Sequence, residues 1–418
     1  MDKTGIMNIS DHKFFLSPDD NLQISRSSLT ASLKSRLIQD IDINRSVDDE
    51  ELKKLIQDMA GEELSGSLLS IGERMQFCRE LFSSIRGLDI LQEILDDDEI
   101  TEIMVNGADN IFIEKKGKLS RYNGVFSSAD RLNDVIQSIV GQANKRVNES
   151  TPIVDTRLPD GSRVNVVLPP VSINGATVTI RKFPKKPITM SDLLSFGSIS
   201  QEAANFLKKL VQCGFNIFIS GGTGSGKTTF LNALSDFIPS SERIITIEDS
   251  AELQIRHIDN LVSLECRPAN TEGENEITIR DLIRSSLRMR PTRIIVGEVR
   301  GAESFDMLQA MNTGHDGSLS TGHANSTKDM LTRLEMMVLT AADMPLPAIR
   351  SQIASALDIM VHLSRMRDGS RKVVEISEVA GIQDGQIKLT PLFLYNPETG
   401  LAPTGNQLIN THKLDGSF

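Results

Sequence analysis

Tryptophan is absent from the 418 residues, and aromatic side chains make up only 4% of them. Single-strand nucleic-acid grooves and sugar-binding platforms stack their ligands on aromatic faces, so this composition speaks against both. An excess of base is missing as well. The 45 Lys and Arg face 56 Asp and Glu, and a formal net charge of −11 is a poor footprint for a protein that coats nucleic acid. Cysteine is scarce: Cys78, Cys213 and Cys266 are scattered with no CxxC pair, which excludes a disulfide framework and a tetracysteine zinc module. No long apolar run exists either. The longest uncharged stretch, Val164 to Ile180, is broken by Pro169-Pro170 and Asn174-Gly175 and alternates as strands do, so it is not a membrane span. The start, MDKTGIMNISDHKFF, lacks a basic segment followed by an apolar one, and no secretory signal is expected. These absences together predict a cytoplasmic protein with reduced thiols.

What remains is a chain with 39% hydrophobic and 24% charged residues, ordinary for a globular protein and long enough for two or three domains. Residues 1–85 are charged, and Leu52-Lys53-Lys54-Leu55-Ile56 and Met75, Cys78, Leu81 and Phe82 carry helical apolar spacing. Before Leu29 the chain is polar and expected to be loose. We read this segment as a helical N-terminal extension without chemistry of its own.

Residues 86–183 mix patterns. Between Arg131 and Lys145, Leu132, Val135, Ile136, Ile139 and Val140 share one helical face. Asp160-Gly161 and Asn174-Gly175 then mark hairpin turns between alternating strands, which predicts a small α+β domain. Its strands carry Arg157, Arg163 and Arg181 with no matching excess of acid nearby. The prolines of PKKPIT, residues 184–189, predict a linker. From 190 to 418 strands and helices alternate, as in a parallel α/β sheet.

That last region contains FISGGTGSGKTTFLNAL, residues 218–234. A short apolar strand runs into G-x-x-x-x-G-K-T and then into a helical pattern at Phe230, Leu231 and Leu234. This is the context a phosphate-binding loop needs. Gly221, Gly222, Thr223, Gly224, Ser225 and Gly226 let backbone amides curl around phosphates at the positive end of the following helix. Lys227 would reach the β- and γ-phosphates of ATP, and the Thr228 hydroxyl would meet Mg²⁺, with Thr229 next in the helix.

Acidic residues stand where the metal and the attacking water must be held. Strand Arg243–Ile247 ends in Glu248-Asp249 with Glu252 one turn on, and Arg293–Val296 ends at Gly297-Glu298. A strand lying between the phosphate-loop strand and the Glu298 strand would mark the RecA-like branch. In MNTGHDGSLSTGHANST, residues 311–327, His315 and His323 admit three readings: hydrogen-bonded structural residues, a metal pair without a third ligand, or a γ-phosphate sensor.

Six stretches occur in order: IMVNGADNIFIEKKGKL, RLPDGSRVNVVLPP, the phosphate loop, ITIEDSAELQI, LRMRPTRIIVGEVRGAE and NTGHDGSLSTGHANS. In combination they resemble the secretion-superfamily hexameric ATPases, and within them the CpaF/TadA branch that powers assembly of tight-adherence (Flp-type) pili. The resemblance covers roughly residues 86–365. It implies a RecA-like ATPase domain at 190–418 behind a PAS-like α+β domain. It also implies Glu252 as the acid that polarises water and Glu298 as the Walker B acid, with Glu248 and Asp249 supporting the metal. His323 would sense the γ-phosphate, and Arg163 and Arg181 would serve as charge-stabilising fingers. A homo-hexamer would push on an inner-membrane platform through peripheral attachment, without direct contact to nucleic acid.

Two departures stand out. Gly322 occupies a place where the family usually has a bulkier apolar residue, and the missing tetracysteine module points away from the type II and type IV pilus assembly branches. Two other classes compete: a RecA-like nucleic-acid translocase, against which the acidic charge speaks, and a non-hydrolysing regulatory phosphate-loop protein, against which Lys227, Glu252 and Glu298 speak. After about residue 365 the chain reads as a strand pair around Asp368-Gly369 and a polar tail, with no evident chemistry.

Overall fold

The computed structural model describes residues 49–63, 88–115, 117–184, 186–269 and 274–414, with 72, 74, 75 and 78. The chain divides into two compact units, Met1–Pro184 and Lys185–Phe418. Leu81, Phe82 and the polar stretch before Leu29 lie outside the described residues. Helix α1, Asp49–Glu63, takes up the first charged pattern.

The first unit is built on an antiparallel sheet. Its strands are β1 (Ile100–Asn106), β2 (Ile111–Lys115), β3 (Lys118–Arg121), β4 (Ile153–Arg157), β5 (Arg163–Val167) and β6 (Thr177–Arg181), in the order β3-β2-β1-β6-β5-β4. Alternate residues of each strand go to one face. Ile103, Val105, Val164, Val166, Val178 and Ile180 pack there against α2 (Ile90–Asp96) and α3 (Ala129–Gln142). All five apolar residues of the helical face are buried in α3, whose start is capped by the Ser128 side chain accepting from Arg131 N–H. Both hairpin turns form, with Gly161 and Gly175 at φ 90° and 99°, values that a side chain would strain.

In the second unit the helices are α4 (Met190–Ser195), α5 (Gln201–Gln212), α6 (Lys227–Ser235), α7 (Ile279–Ser286), α8 (Glu303–Asn312), α9 (Thr327–Ala341) and α10 (Leu346–Ala356). They flank a nine-stranded sheet of β7 (Ile217–Gly221), β8 (Ile244–Glu248), β9 (Leu261–Glu265), β10 (Arg293–Val296), β11 (Leu319–His323), β12 (Ile359–Arg365), β13 (Arg371–Gln383), β14 (Gln386–Asn396) and β15 (Gly400–Pro403). The order is β15-β14-β13-β12-β7-β11-β10-β8-β9. Strands β12, β7, β11, β10, β8 and β9 run parallel, and β13 to β15 extend the sheet antiparallel.

Strands β7, β8 and β10 are buried along their whole length because helices cover both faces. Ile217 and Ile219 of β7 join a core with Leu207, Phe230 and Leu231, while Phe218 faces Met330, Leu334 and Ile353 on the other side. The single strand between the phosphate-loop strand β7 and the Glu298 strand β10 is β11, which carries His323. Parallel register places the carboxyl ends of β7, β11, β10 and β8 along one edge of the sheet, where such folds bind ligands. Among the described residues no helix is long and apolar enough to cross a membrane.

Candidate active site

The phosphate loop leaves β7 at Gly221. A Cβ there would lie 2.5 Å from both the Leu363 carbonyl and Ser225 Oγ, so the turn is closed to any side chain. Gly224 and Gly226 adopt φ of 69° and 91°. No side chain caps the start of α6, so the amides of its first turn face outward for an anion. Ser225 Oγ is buried without a hydrogen-bond partner, and nothing approaches a Cβ built on Gly222. An open cradle of donors with an orphaned hydroxyl and a lysine at its rim fits a polyphosphate.

Lys227 is 6% exposed, and its Nζ donates to the Gly222 carbonyl at 3.2 Å. The same nitrogen lies 3.1 Å from His323 Nδ1. This meeting follows from register: β11 pairs with β7 so that His323 stands beside Gly221. His323 Nε2 in turn lies 2.9 Å from Glu298 Oε1, a buried oxygen without a hydrogen-bond partner among the described residues. Arg300 closes the line, with Nη2 donating to Glu298 Oε2 at 3.0 Å and Nη1 4.0 Å from Asp249.

The electrostatics of this line are consistent with a neutral imidazole. Burial pushes His323 below the ordinary histidine value, the Lys227 and Arg300 charges push the same way, and Glu298 opposes them. Burial also lowers Lys227, against the pull of Glu298. A neutral ring has a nitrogen that can accept from the Lys227 ammonium, which lies 3.1 Å from Nδ1 and 3.5 Å from Nε2.

Glu248 ends β8 and is 4% exposed. Its Oε1 accepts from the backbone N–H groups of Glu252 and Leu253 at 2.8 and 3.1 Å. Gly297 has to be small for this carboxylate to fit, since a Cβ there would come 2.9 Å from Glu248 Cγ. Glu248 therefore acts as an anchor for the segment that carries Glu252. That segment is not helical: residues 251–256 have no regular structure, and Glu252 is placed by the Glu248 anchor rather than by a helical turn. Asp249 is exposed at the rim, and Thr228 and Thr229 are half-buried in the first turn of α6.

Among the described residues no group of three or more His, Cys, Asp or Glu converges to hold a metal. Mg²⁺ in phosphate-loop sites keeps waters and takes nucleotide oxygens, needing only one or two protein oxygens, so Thr228 and Glu298 suit a metal that arrives with its nucleotide. The metal-pair reading of the histidines fails on topology. His315 precedes β11 and bonds the Ala310 carbonyl through Nδ1 at 3.1 Å, whereas His323 ends that strand.

Arg157, Arg163 and Arg181 belong to the first unit. Cross-strand register pairs Arg157 with Arg163 and Arg163 with Arg181, so the three form a row on the sheet face opposite its apolar core. Glu102 of β1 is the register partner of Arg181. Arg300 stands two residues beyond Glu298, and no motif in the sequence marks it for this site.

The family described as "Type II/IV secretion system protein" matches residues 85–398. The chain is 34% identical over 316 residues to the type IV secretion system protein PtlH of Bordetella pertussis, covering 69% of this chain and 93% of that one. It is 46% identical over 242 residues to the uncharacterised protein MJ0781 of Methanocaldococcus jannaschii, covering 56% of this chain. The matched part spans 33% of that relative's length. The ATPase DotB of Legionella pneumophila shares the fold, with a TM-score of 0.51 at 23% identity, covering 68% of this chain and 78% of that one.

Proposed function

This chain belongs to the type II/IV secretion system protein family, a family of ATPases, and we propose that it hydrolyses ATP to drive protein secretion or pilus assembly. The observation that carries this reading is the convergence of Lys227, His323 and Glu298 beside the phosphate loop. Lys227 would leave its Gly222 and His323 partners for the β- and γ-phosphates. His323, released from Lys227, would then be able to turn a ring N–H to the γ-phosphate, and Glu252, held by the Glu248 anchor, would orient the attacking water. Mg²⁺, when bound beside Thr228 and Glu298, would neutralise phosphate charge.

Arg163 and Arg181 are proposed as the residues that stabilise charge on the transferring phosphoryl group. A planar guanidinium suits that spread charge. The strand order of the first unit, with β1 central between β2 and β6, supports the PAS-like reading. Finer still, we propose a homo-hexamer on an inner-membrane platform of the tight-adherence pilus type, attached peripherally. The six ordered sequence stretches and the absence of a tetracysteine module support that branch.

The test is Lys227→Ala. ATP hydrolysis should fall to background while thermal unfolding stays cooperative. Turnover near that of the unaltered protein would end the reading.

A further inference from the structure

We propose that Arg371 is a nucleotide-binding residue, which steadies the phosphate loop through Nε and offers its two terminal nitrogens to the phosphate chain of a bound nucleotide. The inference rests on the ATPase reading and adds to it a ligand contact from the β12–β13 hairpin.

Arg371 Nε donates to the Gly224 carbonyl at 2.9 Å across 147 residues of sequence. A Cβ at Gly226 would lie 3.3 Å from Arg371 Cδ, so the side chain runs along the loop from Gly224 to Gly226. Topology brings it there. Strand β12 lies parallel to β7 with Leu363 beside Gly221, and the chain turns back at Asp368-Gly369 so that β13 begins level with the loop.

The hairpin crest is strongly basic, with Arg365, Arg367, Arg371 and Lys372 around the one acid, Asp368. Asp368 is engaged locally, accepting from Ser370 N–H at 2.9 Å and from its hydroxyl at 2.6 Å. Arg371 is the register partner of Arg365, and among the described residues neither has an acidic partner. An arginine fixed at Nε keeps its terminal fork for a second acceptor, and phosphate is the acceptor that the fork matches best. The nearest acceptor this loop is built to receive is a phosphate oxygen.

The experiment measures equilibrium binding of ADP and of ATP to the full chain carrying Arg371→Ala, Arg371→Gln, Arg371→Lys or Arg367→Ala. Arg367 is exposed on the same hairpin and serves as the charge control. Loss of a charge-assisted phosphate contact should weaken both nucleotides by roughly 10- to 100-fold in the Ala and Gln variants. Lys should fall between, and Arg367→Ala should stay within about twofold, because exposed charges are screened. Glutamine can still donate to the Gly224 carbonyl but carries no charge. Recovery of full affinity with Gln would reduce Arg371 to a prop for the loop and overturn the proposal, as would unchanged affinity in the Ala variant. If the unaltered protein binds neither nucleotide, the ATPase reading itself falls. If Lys227→Ala abolishes binding while every Arg371 variant binds normally, only the Arg371 assignment falls.

Discussion

Lys227 Nζ stands 3.1 Å from His323 Nδ1 although 96 residues separate them in sequence. The two ends of parallel neighbours β7 and β11 bring them together, and the pair holds the loop lysine over an otherwise open cradle. Each is then a partner that a phosphate can replace. The structure shows the lysine on protein groups, and ATP binding is expected to move it onto the nucleotide.

Glu252→Gln should leave nucleotide binding nearly intact and slow hydrolysis by about 10²- to 10⁴-fold, the usual contribution of a positioned base. Glu298→Gln should slow hydrolysis as well, and it should also raise the Mg²⁺ concentration needed for half-maximal turnover. Steady-state kinetics across a magnesium titration separates the two roles. An identical magnesium response in both variants would contradict the division of labour.

Arg163→Ala and Arg181→Ala should each bind ATP with little loss yet hydrolyse it at least about 10³-fold more slowly, as expected for a charge-stabilising finger. Turnover at saturating ATP and matched oligomeric state is the measurement. Full activity in both variants would remove the first unit from the chemistry.

Gly322 is buried, and a Cβ there would lie 2.9 Å from Met330 Cε and 3.0 Å from Phe218 Cζ. These two side chains fill the space that a bulkier residue at position 322 would take. Gly322→Leu should therefore destabilise the second unit by about 1–3 kcal/mol through overpacking, read as a lowered thermal midpoint. Met330→Ala in the same chain should recover part of the loss. No recovery would place the strain elsewhere.

His362 on β12 is 6% exposed and lies with Nδ1 2.8 Å from Ser220 Oγ. Burial pushes its pKa below the ordinary value, with the Glu375 carboxylate opposing, and His323 is lowered too. Between the folded values and about pH 6.5 the unfolded chain binds more protons than the folded one, so stability rises with pH there. The stabilisation is complete above that window and is lost as pH falls through it. Urea midpoints should drop on going from about pH 7.5 to about pH 5.5, and His362→Gln should flatten that drop. An unchanged slope in the variant would acquit His362.

Local chemistry made much of the site legible. Glycine spacing, a following lysine and threonine, and an apolar strand before them are neighbours in sequence, and the loop they predict needs no distant partner. The two hairpin turns and the buried face of α3 were readable for the same reason. Glu248 was legible only as an acid at a strand end. Whether its oxygens turn to a metal or to the amides of Glu252 and Leu253 depends on how the chain folds back after β8. Asp249, Glu252 and Glu298 were found by type and position, but nothing local announced Arg300 as the cation among them.

The sequence by itself determined the chemistry available: a phosphate loop, strand-end acids, two histidines, a set of strand arginines and too few aromatics or cysteines for rival sites. The tertiary structure alone decided which of these meet. Strand order put β11 between β7 and β10, so His323 reached Lys227 and Glu298 while His315, before the same strand, did not. Register lined Arg157, Arg163 and Arg181 into one row, and the turn at Asp368-Gly369 carried Arg371 to Gly224. The physical reason is range: turn and helix preferences act over a few residues, whereas strand pairing fixes neighbours at any separation through backbone hydrogen bonds and the burial of whole sheet faces.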